Sequence, residues 1–154
     1  MRRCLVFVTL LSMILVLPVH ATTGRVVKVL PFYLDKKELH TISPSLYERD
    51  AYQAQLRMHP ELRFGLLYRV EWNAKGKDPA NLKIRLELRG AVEGKVAKQL
   101  VLEQPVHKRK WFTSWASITL KGADYKKFGE VVAWRVTLWE GEDLLLDSQQ
   151  SFLW

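Results

Sequence analysis

Among its 154 residues the chain has a single cysteine, Cys4. One thiol closes no intrachain disulfide, supplies no Cys-ligated zinc site and forms no CxxC redox pair. Glycine and proline are also sparse, at 8 and 6 residues, and neither gathers into a linker, a low-complexity tract or a phosphate-cradling loop. No internal repeat breaks the chain into units. The apolar run from Cys4 to Leu17 falls short of the roughly 20 residues that a membrane-spanning helix needs.

That run still carries information. Met1-Arg2-Arg3 precedes it, Pro18 ends it, and Val19-His20-Ala21 offers a small residue for cleavage. The expectation is a signal peptide over 1–21, cleaved after Ala21, and export to the periplasm or beyond. Cleavage would remove Cys4 and leave a mature chain with no thiol nucleophile. Cys4 stands ahead of the apolar run, which is the wrong place for a lipid attached behind it. Loss of Arg2 and Arg3 would lower the formal charge from +8 to +6. The remainder, 22–154, has the length of one domain and, with 48% apolar residues in the whole chain, enough to bury a core without staples.

Catalytic and metal signatures are missing as well. His40, His59 and His107 have no ligand partner at helix or strand spacing. Ser43, Ser45, Ser114 and Ser117 lack the Gly-x-Ser-x-Gly setting of an exposed nucleophile. Glu140, Glu142 and Asp143 have neither the number nor the order of a calcium loop and read as a solvated turn. The expectation is no catalytic residue, no metal and no cofactor. A hydrolytic enzyme with an unrecognised site is the lesser reading.

What the chain has in quantity is period-two alternation, the mark of strands with one dry face. Leu66, Tyr68, Val70 and Trp72 alternate with Arg69 and Glu71. Leu82, Ile84, Leu86 and Leu88 alternate with Lys83, Arg85, Glu87 and Arg89, and a loop over 73–81 joins the two. Further strands are expected over 26–34, with a polar turn at 35–38 and a return at 39–42. Others follow at 99–106 with Leu100 and Leu102 inward, at 114–120 with Ala116, Ile118 and Leu120 inward, at 131–139, and at 144–154. The last two are joined by a short hairpin at 140–143. Between them 45–58 reads as a helix: Ser45 and Glu48 fit a capping box, and Tyr47, Ala51, Ala54 and Met58 share a face that would lie on the sheets. About seven short strands with turns between them predict a mainly β protein, an antiparallel two-sheet β-sandwich with one short inserted helix.

Val132-Ala133-Trp134-Arg135-Val136-Thr137-Leu138-Trp139, with its turn and returning strand, resembles the final hairpin of immunoglobulin-like and fibronectin type III-like domains. The resemblance covers the mature chain only as a strand pattern. It departs from true immunoglobulin domains in lacking the inter-sheet cysteine pair and in carrying the inserted helix. The chain is also similar to small exported bacterial proteins of unknown function with such sandwiches, which implies a fold and a compartment but no activity.

Function is read from aromatic and basic residues on the wet side of the pattern. On the 131–139 strand Val132, Trp134, Val136 and Leu138 are expected inward, and Arg135, Thr137 and Trp139 outward. Trp115 falls opposite Ile118 and Leu120, near the basic run Lys108-Arg109-Lys110 and Trp111. Together Trp111, Trp115, Arg135, Trp139, Lys108, Arg109 and Lys110 make a candidate interaction surface for a protein or glycan partner; packing of the tryptophans on the domain's own core is the competing reading. The 108–110 run would also give weak contact with an anionic envelope surface. Acidic residues interleaved with the basic ones argue against nucleic acid. A different class, a small outer-membrane β-barrel, is suggested by Phe152 and Trp154 at the end of the last strand, but Ser148 and Gln150 interrupt the apolar row such a strand needs.

Overall fold

Alternation decides which face of the 66–72 and 82–88 strands is dry, and in the computed structural model Leu66, Tyr68, Val70 and Trp72 and Leu82, Ile84, Leu86 and Leu88 are buried as read. The structure describes residues 23–75, 81–91, 98–107 and 114–154. They form β1 (Thr23–Asp35), α1 (Leu46–Met58), a 3-10 turn (Pro60–Leu62), β2 (Arg63–Lys75), β3 (Leu82–Ala91), β4 (Lys98–Pro105), β5 (Ser114–Lys121), α2 (Gly122–Phe128), β6 (Glu130–Glu140) and β7 (Asp143–Gln150). A three-stranded sheet runs β1-β2-β5 and a four-stranded sheet runs β4-β3-β6-β7, each with antiparallel neighbours.

The two sheets close on one core. Val26, Tyr68, Val70 and Trp72 come from the first sheet, and Ile84, Leu86, Leu88, Val136 and Leu138 from the second, all buried. Burial of one such side chain contributes about 1.5–3 kcal/mol. The sheets also meet along their edges, where β1 runs beside β7. The approach is close at Gly24, where a Cβ would lie 2.7 Å from a Leu138 methyl and 2.9 Å from a Leu145 methyl.

The inserted helix is present but turned from the expected face. Tyr47 and Met58 are 84% and 71% exposed, while Gln53 and Leu56 are buried. The reason is a polar anchor. β1 is an edge strand, and the Gln53 amide completes its edge: Tyr33 N–H donates to Oε1 at 2.8 Å, and Nε2 donates to the Tyr33 carbonyl at 2.9 Å and the His40 carbonyl at 2.8 Å. A side-chain amide thus takes the place of a neighbouring strand's peptide group. Beside it, Phe32, Leu34 and Leu67 form a small second core on the outer side of this sheet. Ser45 does cap α1 by position, but its hydroxyl makes no cap hydrogen bond, so the capping box does not form.

Residues 39–42 do not return as a strand. Asp35 Oδ1 accepts from the Lys37 and Leu39 amides, each at 2.8 Å, and Glu38 takes φ 60, so the chain closes into a tight loop. The Tyr52 hydroxyl donates to Asp35 Oδ2 at 2.7 Å and ties that loop to α1.

Two further differences lie near the C-terminus. Ala133 pairs with Arg89 while Val131 pairs with Gly90, which leaves Val132 as the extra residue of a β-bulge. The bulge reverses the alternation, so Val131 packs on the core and Val132 is exposed. The last strand also ends at Gln150 rather than Trp154: Ser151 N–H donates to the Trp134 carbonyl, the Trp134 amide donates to Ser151 Oγ, and the chain then turns. The expected hairpin between them is present, with Gly141 at φ 58 in the first central position, where a II′ turn requires glycine. Nothing in the periodicity marked α2. Its Phe128 plugs the core against Gly90, where a Cβ would come within 2.7 Å of the ring.

Candidate functional site

The outer face of the four-stranded sheet follows from its register. On β3, Lys83, Arg85, Glu87 and Arg89 point away from the core, opposite Trp139, Thr137, Arg135 and Ala133 of β6. On the other side, Glu103 and Val101 of β4 face Arg85 and Glu87. Opposite charges therefore meet across strands, Arg85 with Glu103 and Glu87 with Arg135.

The side chains form a connected ladder. The Arg85 guanidinium donates to Glu103 Oε1 at 2.7 and 2.8 Å and lies 4.3 Å from the centre of the Trp139 ring. Hydrogen bonds from Arg85, against slight desolvation, hold the Glu103 carboxyl below its ordinary range. Trp139 Nε1 donates to Thr137 Oγ1 at 2.8 Å, which explains how Thr137 is buried on an outward position. Lys83 stands 3.4 Å from both Glu103 and Glu142. Arg135 Nε donates to Glu87 at 2.8 Å. Arg89 and Arg135 both lie over the Trp154 ring, at 4.1 and 4.6 Å from its centre.

Arg135 and Trp139 are thus on one surface. Trp115 is not with them: it lies on β5 opposite Glu71, on the outer face of the three-stranded sheet, 46% exposed, with Arg69 over its ring at 5.1 Å. The whole core separates the two tryptophans. Lys108, Arg109, Lys110 and Trp111 lie outside the described residues. The ladder adds Arg85, Arg89 and Trp154 to the residues singled out from sequence. The first two were legible, since β3 alternation already faced them outward; Trp154 was not, because it reaches this face only by the turn after Gln150.

A lipid-facing strand would present an apolar row, whereas β3 presents three cations and an anion. The described strands are divided between two sheets rather than closed into one barrel. No helix among the described residues is long and apolar enough to cross a membrane.

The histidines are scattered. His40 lies against Phe32 with ring centres 5.1 Å apart, and burial, then the charges of Arg69 and Arg49, lowers its pKa below the ordinary 6.5. His59 Nδ1 stands 3.0 Å from Glu61, and His107 is exposed. Among the described residues no three His, Cys, Asp or Glu side chains gather as metal ligands would. The chain matches no family model, no curated protein and no solved structure.

Proposed function

We propose that this chain is an exported, non-enzymatic binding module, an immunoglobulin-like sandwich that engages a protein partner through the outer face of its four-stranded sheet. The segment over 1–21 supports export, by its charge, its short apolar run and its small-residue end. Strand order supports the resemblance. Immunoglobulin constant-type domains place their first, second, fifth and fourth strands in one sheet; here the order is the same except that β4 has crossed to pair with β3, as in fibronectin type III-like sandwiches.

The observation that carries the proposal is the guanidinium–indole ladder of Arg85, Trp139, Arg89, Arg135 and Trp154. Arginine and tryptophan are the side chains on which binding energy concentrates. Here ion pairs and ring stacking already fix them, so little rotamer freedom remains to be lost on association. One guanidinium lies over the Trp139 ring and two over the Trp154 ring, which leaves less ring for a sugar to stack on and favours a protein over a glycan.

Partner capture from the exported fraction with the mature chain as bait supplies the assay. Trp139→Ala combined with Arg135→Gln is expected to abolish retention while unfolding stays cooperative. Trp115→Ala, on the opposite sheet, is expected to leave retention intact. Full retention by the double variant removes this face as the binding surface.

A further inference from the structure

A cleft of about 280 Å³ opens between the sheets beside the C-terminal end of α1, bounded by β1, β2, α2, β6 and Ser151. That is near the lower end of the roughly 300–1,000 Å³ typical of small-molecule sites. Its walls are aromatic: Tyr33, Tyr68, Tyr125 and Trp134, with Tyr68 and Trp134 in edge-to-face contact at 6.0 Å.

The polar groups are unusual for a sandwich end. Tyr68 is only 2% exposed, yet its hydroxyl has no hydrogen-bond partner among the described residues. The hydroxyl is not sealed from solvent but opens on the cleft, where a ligand atom can accept from it. Burial, and then the neighbouring Tyr33 and Tyr125, raise its pKa far above the ordinary value, so it remains a donor. Arg63 is fixed in place: it donates through Nε to the Leu56 carbonyl at 2.5 Å and through Nη2 to the Arg57 carbonyl, and its guanidinium lies 4.2 Å from the centre of the Tyr33 ring. Arg57 also lines the cleft and makes no ion pair among the described residues; Glu130 sits exposed at the rim. Two guanidiniums against one carboxylate leave a single net positive charge.

We infer that this cleft is a binding site for a small monoanion, a carboxylate carried on a flat apolar body. The carboxylate takes the donors of Tyr68, Arg57 and Arg63, and the apolar body lies against the aromatic walls. The single net charge, with Glu130 at the rim, favours a carboxylate over a doubly charged phosphate. The site is separate from the outer-face ladder and does not depend on it.

Titration of the purified full chain with benzoate, followed by calorimetry and intrinsic fluorescence, tests this, with neutral benzamide as the control. One saturable site is expected, with benzamide at least about tenfold weaker and Tyr68→Phe weakening benzoate by about tenfold, the scale of one hydrogen bond to a charged group. Arg57→Gln, on an exposed side chain, is expected to weaken benzoate similarly and carries the test should Tyr68→Phe unfold. Trp139→Ala is expected to leave benzoate affinity unchanged, which separates this site from the partner face. Absence of saturation, equal affinity for benzoate and benzamide, or native affinity in Arg57→Gln overturns the inference.

Discussion

Gln53 does more for this fold than its residue type suggests. Its amide makes three hydrogen bonds to backbone groups of the β1 edge and the following loop. Replacing it with leucine keeps the bulk but strands those groups, and each buried unsatisfied group costs about 1–3 kcal/mol. Gln53→Leu is therefore expected to lower unfolding free energy by roughly 3 kcal/mol in a denaturant titration. Glycine acts oppositely at Gly65, where a Cβ would lie 2.6 Å from the Leu120 carbonyl oxygen and 2.8 Å from Lys121 Cα. Those atoms are backbone and cannot swing aside, so Gly65→Ala is expected to destabilise by about 1–3 kcal/mol.

Titration belongs to the same scale. The folded His40 has a pKa below 6.5, through burial and the charges of Arg69 and Arg49. Between those two values the unfolded chain binds more protons, so stability falls as pH drops from 6.5 through the folded value. Asp35 adds a second, more acidic step. Desolvation raises its pKa, but hydrogen bonds from the Leu39 amide, the Tyr52 hydroxyl and the Lys37 amide outweigh that and set it below 3.8. Its stabilisation is present above 3.8 and lost as pH falls through the folded value. Melting temperature against pH should show both steps; His40→Gln should flatten the first alone and Asp35→Asn the second alone.

Elements differ in how far their sequences announce them. β3 was legible because three buried leucines and one isoleucine alternate without interruption and one hydrophobic face determines register. α1 was legible as a helix but not in its orientation, since hydrophobic periodicity looks for an apolar face and this helix docks through an amide. The bulge at Val132 was invisible for a related reason: two adjacent valines satisfy either phase of an alternation, and only pairing with Arg89 and Gly90 decides between them. That bulge yields its own prediction. Deleting Val132 restores an unbroken ladder and keeps Val131 opposite Gly90 on the core face, so it should cost less than the burial of one valine, about 2 kcal/mol. Val132→Thr, at an exposed position, should change stability by no more than about 0.5 kcal/mol.

At the scale of the whole molecule, the two-sheet architecture followed from strand count and alternation alone, whereas the candidate site followed only in part. Arg135 and Trp139 belong together because they share one strand and one parity. Trp115 joins them in the sequence by its outward parity and its nearness to the basic run, and parity says nothing about which sheet a strand joins; β5 pairs with β2 and carries Trp115 to the far side. Trp154 enters the ladder through a turn that no periodic pattern encodes. The outcome is a sandwich with different outer surfaces: one sheet presents the arginine–tryptophan ladder, and the other is partly covered near β1 by α1.

The most direct measurement is the affinity of a captured protein partner for the native chain, Trp139→Ala/Arg135→Gln and Trp115→Ala, each verified as cooperatively folded. The account predicts a loss of at least about a hundredfold for the double variant, as expected for central tryptophan and arginine contacts worth about 2 kcal/mol or more each, and native affinity for Trp115→Ala. Native affinity in the double variant, or a loss confined to Trp115→Ala, contradicts it.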